Sequence, residues 1–82
     1  MKITSPEALA EALKSARKRK ALTQQVVAEE IGVKQATVSS FENHPERTRV
    51  ETLFKLLAAM NLELRVVERG KPEPGAAWDQ EW

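Results

Sequence analysis

The sequence predicts an all-α fold: a compact domain of four short helices, followed by one β-strand and a disordered tail. Three observations carry the prediction. Apolar residues recur at helical spacing between residues 6 and 60. The period then falls to two over residues 62–68. From Gly70 onward the chain turns to Pro, Gly and charged residues without helix or strand logic. Eighty-two residues, 41% hydrophobic and 30% charged, suit a single small domain with a modest core. The expected division is a folded unit over residues 1–69 and a tail over residues 70–82.

The first helix has clear punctuation. Ser5 can cap it, Pro6 fits its first position, and Glu7 and Glu11 suit its positive end. Leu9, Ala12, Leu13 and Ala16 make its inner stripe, and it should reach about Lys20. Lys2, Ile3 and Thr4 precede it in extended form. Arg17 to Lys20 is the densest basic run, read either as a solvated helix C-terminus or as a phosphate contact.

Two short helices follow, joined by a tight turn. Thr23 is a good N-cap, with Val27, Ala28 and Ile31 at helical spacing behind it. Gly32 stops this second helix, because a left-handed C-terminal residue costs glycine little. Val33 turns the chain inward, and a third helix runs from about Gln35 to Glu42. Steps of ~100° per residue place Thr37, Val38 and Phe41 on one side and Gln35, Ala36, Ser39 and Ser40 on the other. That outer face has no carboxylate. Gln can bond bidentately to an adenine edge, Ser can bond to any base, and Ala can touch a thymine methyl, although the same residues also make an ordinary solvated face. Lys34 tips the reading. It occupies the N-cap position, yet it has no oxygen to offer the free N–H groups, and its charge opposes the helix end by roughly 0.3–1 kcal/mol. A broken local rule beside an open polar face marks a functional site, here a DNA-binding helix-turn-helix.

Asn43 to Arg47 reads as a loop, and its His44 is the only histidine. A fourth helix opens with the capping-box spacing Thr48-Arg49-Val50-Glu51, carries Val50, Leu53, Phe54, Leu57 and Met60 at helical period, and ends near Asn61. Phe54 and Met60 are read as core or dimer contacts. In the strand over residues 62–68, Leu62, Leu64 and Val66 point one way. A lone strand leaves backbone donors and acceptors unpaired, so antiparallel pairing with the same strand of a second copy is the economical solution, giving a homodimer. The tail holds Trp78 and Trp82, both tryptophans of the chain. They are read as a short linear motif for a partner or a protease, or as residues folding back on the domain.

Several functions are excluded by what the chain lacks. It has no cysteine for a disulfide or thiolate metal site, and His44 has no companions for catalysis or metal ligation. No enzyme chemistry, cofactor or metal is expected. No apolar run spans a membrane and no signal segment is evident, so the expected compartment is the cytoplasm. The net charge is only +1. Residues 1–69 nevertheless hold 12 basic against 9 acidic side chains, and the tail is acidic.

From Leu22 to Leu57 the chain resembles the Cro/C1 (XRE) helix-turn-helix class, the group of lambda-repressor-like domains. Leu22-Thr23-Gln24, Val27-Ala28, Ile31-Gly32-Val33, Val38-Ser39 and Phe41-Glu42 carry the likeness. More narrowly, Lys34 to Ser39, Phe41-Glu42-Asn43 and the final Glu81-Trp82 resemble the HipB-type antitoxins. That resemblance implies a homodimer that binds palindromic operator DNA, represses its own operon and neutralises a HipA-type serine/threonine kinase toxin. It implies base contacts from Lys34, Gln35, Ala36 and Ser39, and phosphate contacts from Thr23, Gln24, Gln25, Thr37 and Ser40. Leu62, Leu64 and Val66 would serve dimerisation, Trp82 toxin or protease recognition, and Arg17 with Glu42 a partly buried ion pair. No residue-by-residue match extends between Val67 and Glu81, and a stand-alone phage-type or regulatory repressor without a toxin is the alternative.

Overall fold

Four helices form where the apolar periodicity placed them. The computed structural model describes residues 2–70. It contains α1 (Pro6–Arg19), α2 (Gln24–Ile31), α3 (Gln35–Asn43) and α4 (Val50–Ala59), with a 3-10 turn at Pro45–Arg47 before the last. The first two helices start on side-chain oxygens. Ser5 Oγ accepts from the Ala8 N–H at 3.0 Å, and Thr23 Oγ1 accepts from the Val26 N–H at 3.1 Å.

Three of the four helices end by one device. The residue after the last turn enters the left-handed region: Ala21 at φ 56°, Gly32 at φ 74° and Asn61 at φ 56°. The next N–H then closes on a helical carbonyl, Leu22 on Arg17 and Val33 on Ala28 at 3.0 Å, and Leu62 on Leu57 at 2.8 Å. This is the Schellman arrangement, and it swings an apolar residue back onto the core each time. Leu22, Val33 and Leu62 are all partly buried there.

The core takes a contribution from every helix. Ala10 and Leu13 of α1, Val27 and Ala28 of α2, and Val38 and Phe41 of α3 are buried against Leu56, Leu57 and Met60 at the end of α4. Helix α2 packs on both α3 and α4, while α1 packs on α3. This fixes α3 from behind and leaves its opposite side open.

Details depart from the sequence expectation in α4. Its N-cap is Arg49, with no side-chain cap bond, so the Thr48–Glu51 capping box is not formed. Its inward stripe is the partly buried Leu53 with the buried Leu56, Leu57 and Met60, the same i, i+3, i+4, i+7 spacing begun three residues later than expected. Val50 and Phe54 are left 66% and 54% exposed. In α1 the buried set is Ala10, Leu13, Ala16 and Arg17, with Leu9 and Ala12 at its edge.

Residues 62–68 follow α4 without regular structure, and no strand is present among the described residues. A strand requires a ladder partner, and the described residues of the single chain supply none to this segment. Leu64 and Val66 stand exposed, Val66 at 74%. Beyond Gly70 the expected tail, residues 71–82 with Trp78 and Trp82, lies outside the described residues.

Candidate nucleic-acid interface

The site begins with a carboxylate that is not on the open face. Glu42, near the end of α3, has a side chain only 5% exposed. Its Oε2 accepts from Arg17 Nε at 2.7 Å, and its Oε1 accepts from Arg17 Nη2 at 3.1 Å and from Gln24 Nε2 at 2.9 Å. Arg17 also donates from Nη1 to the Leu22 carbonyl at 2.9 Å, bracing the turn between α1 and α2. One carboxylate thus joins α1, α2 and α3. Burial pushes the Glu42 carboxyl up, but the hydrogen bonds from Arg17 and Gln24 and the Arg17 charge outweigh it and hold the group below its usual value. The ion pair expected from the resemblance is formed, with bidentate geometry.

The consequence for the outer face is electrostatic. Glu42 is the one acidic residue of α3, and Arg17 neutralises it at the back of the helix. The front carries Gln35, Ala36 and Ser40, all exposed, and Ser39, half-buried. Lys34 stands exposed at the N-cap with no side-chain cap bond, as its chemistry requires. Thr37, assigned by helical angle to the inner side, is exposed instead, because Val38 and Phe41 alone meet the core.

The phosphate candidates divide by what already holds them. Thr23 Oγ1 is engaged in capping α2, and its hydroxyl hydrogen is not needed for that bond. Gln25 donates to Glu29 Oε2 at 3.1 Å on the exposed surface of α2. Gln24 is half-buried and links inward to Glu42, while its own Oε1 accepts from Gln35 Nε2 at 3.3 Å. The N-terminal ends of α2 and α3 therefore meet, and Thr23, Gln24, Lys34 and Gln35 are brought together. Leu62, Leu64 and Val66 belong to the separate segment after α4.

Two residues on these surfaces had been given no role. Asn43 lies exposed one turn beyond Ser39 and donates from Nδ2 to the Ser39 carbonyl and hydroxyl at 3.0 and 3.2 Å. Their i, i+4 spacing was the available signal. Arg49 repeats the departure of Lys34, a cation at an uncapped N-cap, and was hidden by the capping-box pattern around it. Among the described residues no cluster suited to hold a metal ion occurs, and no helix is long and apolar enough to cross a membrane.

The Helix-turn-helix family matches residues 13–67. Antitoxin HipB of Escherichia coli O6:H1 is 42% identical over 83 residues, spanning 99% of this chain and 88% of that protein. Two solved structures, described as "Structure of HipA-HipB-O2-O3 complex" and "HipB-O4 20mer complex", share the fold with a TM-score of 0.82. Both are 42% identical, and each alignment covers 84% of this chain and 97% of the other.

Proposed function

The chain belongs to the HipB antitoxin family of helix-turn-helix proteins, and on that premise we propose that it is a dimeric, DNA-binding antitoxin of a type II toxin–antitoxin system. It binds palindromic operator DNA, represses its own operon and neutralises a HipA-type serine/threonine kinase. The observation that carries the DNA reading is the outer face of α3: exposed, without a free carboxylate, and headed by an uncapped lysine. Lys34, Gln35, Ala36 and Ser39 meet base edges, and Thr23, Gln24, Gln25, Thr37 and Ser40 meet phosphates. Bound to operator, the protein resides on the nucleoid.

Dimerisation supplies the palindrome. Leu62, Leu64 and Val66 form the pairing strand across the two-fold axis, and the exposure of Leu64 and Val66 in the single chain supports this. The unit over residues 1–69 then acts as the DNA-binding and dimer body, and residues 70–82 as its tail. The paired α3 helices would enter major grooves about 34–36 Å apart, or a multiple of that. The likeness to HipB proteins, one of them solved together with HipA, supports the kinase partner.

A mobility-shift titration of the full chain against DNA from upstream of its own reading frame tests the first half. Gln35→Ala should cost roughly 1–3 kcal/mol on operator and far less on scrambled DNA. An equal loss on both would assign Gln35 to the phosphate backbone. Co-purification of a HipA-like kinase encoded in the adjoining frame tests the second half. A stand-alone repressor would bind the operator and capture no kinase.

A further inference from the structure

The hydrogen bonds behind α3 run in one direction. Ionised carboxylate oxygens only accept, so Gln24 must turn its NH₂ group toward Glu42. Its carbonyl oxygen then faces the other way, toward Gln35, and that oxygen can only accept. Gln35 must therefore offer its own NH₂ to Gln24. A glutamine amide has two N–H donors and one carbonyl; with one donor engaged, Gln35 keeps one N–H and its Oε1. An acceptor and a donor side by side match N6 and N7 of adenine and mismatch the two acceptors O6 and N7 of guanine.

Resting on the DNA-binding reading above, we infer that Glu42, through Gln24, is a positioning residue that sets the orientation of the Gln35 amide and so fixes adenine as the base it reads. Glu42 lies at the back of α3, joined to Arg17 and 5% exposed at its side chain, so it acts without touching DNA. The charge of Glu42 is the element that gives the chain its polarity. A neutral amide in its place can donate or accept, and Gln24 and Gln35 are then free to turn over. The Arg17 pair keeps the carboxylate in place and ionised, so the buried clamp between helices and the reading of a base are one network.

The test uses the full chain and pools of DNA duplexes randomised at each position of the half-site, comparing the wild type with Glu42→Gln, Gln24→Ala and Gln35→Ala. Both Glu42→Gln and Gln24→Ala should reduce the adenine-over-guanine preference at the base pair lost in Gln35→Ala by roughly five- to tenfold. Neither should alter preference once Gln35 is already alanine. Gln24→Ala leaves the Arg17–Glu42 pair in place, so it reads the relay even where Glu42→Gln weakens folding. A loss of affinity equal at every base, or one that persists in the Gln35→Ala background, would overturn the relay while leaving DNA binding standing. Absence of sequence-selective binding by the wild type would overturn the DNA reading and the adenine assignment with it.

Discussion

Arg17 and Glu42 lie 25 residues apart in sequence and meet through two hydrogen bonds of 2.7 and 3.1 Å, tying the end of α1 to the end of α3. Because the folded protein holds the Glu42 carboxyl below its ordinary value of 4.5, the pair stabilises the fold fully above that pH. The stabilisation is lost as pH falls through the lower folded value, where protonation also leaves the buried guanidinium without its counter-charge. Unfolding free energies of wild type and Glu42→Gln, measured by urea titration from pH 7 to pH 3, should differ by up to about 3 kcal/mol near neutrality. The gap should hold at pH values above the ordinary carboxylate value of 4.5 and narrow as pH falls below it. A gap independent of pH would mean that the charge of Glu42 contributes nothing to stability.

Ala21 holds the left-handed position that Gly32 and Asn61 hold at the ends of α2 and α4. A residue with a Cβ carries roughly 1–2 kcal/mol of strain there, against about 0.4–1 kcal/mol of extra chain entropy for glycine. Ala21→Gly should therefore stabilise the protein by about 0.5–1 kcal/mol, raising the melting temperature by a few degrees. Gly32→Ala is the reciprocal change. A Cβ built at Gly32 meets nothing within 4 Å, so its cost is the backbone strain alone. Calorimetric scans that failed to move in opposite directions would disprove this account of the helix ends.

These helix ends show where the sequence was legible and where it was not. Gly32 announced its turn because glycine is the residue a positive φ selects; Ala21 carries no such mark, and only the basic run before it hinted at a helix end. The caps at Ser5 and Thr23 were readable because the oxygen that serves them is in the side chain. In α4 the apolar residues were too many. Val50, Leu53, Phe54, Leu56, Leu57 and Met60 allow two overlapping stripes, and only packing against α2 chooses between them. The uncapped Lys34 was visible as a broken rule. The orientation of Gln24 was invisible, since it depends on Glu42 approaching from 18 residues away.

The segment after α4 carries the assembly prediction. Leu64→Pro removes a backbone donor from the middle of the expected intersubunit strand and is not tolerated at a central position. Leu64 lies outside the hydrophobic core of the four helices and is 44% exposed. The variant should keep its helical circular dichroism, sediment as a monomer and lose cooperative operator binding. A stable dimer by analytical ultracentrifugation would reject the strand, and the exposed Val50 and Phe54 of α4 would become the interface to test.

Trp82 offers a test of the tail. Burying a tryptophan removes some 150–250 Å² from water, of order 4–6 kcal/mol before the cost of ordering the segment that carries it. Among the described residues, Leu13, Val27 and Leu56 pack in one core drawn from α1, α2 and α4. Deleting Glu81 and Trp82 should leave thermal stability, dimerisation and operator binding unchanged, and should weaken kinase binding or lengthen the protein's lifetime in cells. A lower melting temperature of the isolated deletion variant would instead place Trp82 against its own domain.

Lys34 sets stability against function most directly. It is the N-cap of α3, with extended backbone at φ −77° and ψ 150° and no side-chain bond to the free N–H groups beyond it. The same position in α1 and α2 is held by Ser5 and Thr23, whose oxygens each take up one such donor. Lys34→Ser supplies the missing oxygen on a backbone already in the conformation a cap requires. It should stabilise the fold by about 1 kcal/mol through the cap, with a few tenths more from removing a cation at the positive helix end. Operator affinity should move the other way. Loss of the cation should lower affinity and, if Lys34 meets a phosphate, reduce the slope of log K against log salt by about one per subunit. If it meets a guanine instead, the salt slope should hold and preference at one base pair should relax. A variant that melted lower than the wild type would show that Lys34 serves the fold. One that melted higher and bound operator as tightly would remove Lys34 from the interface.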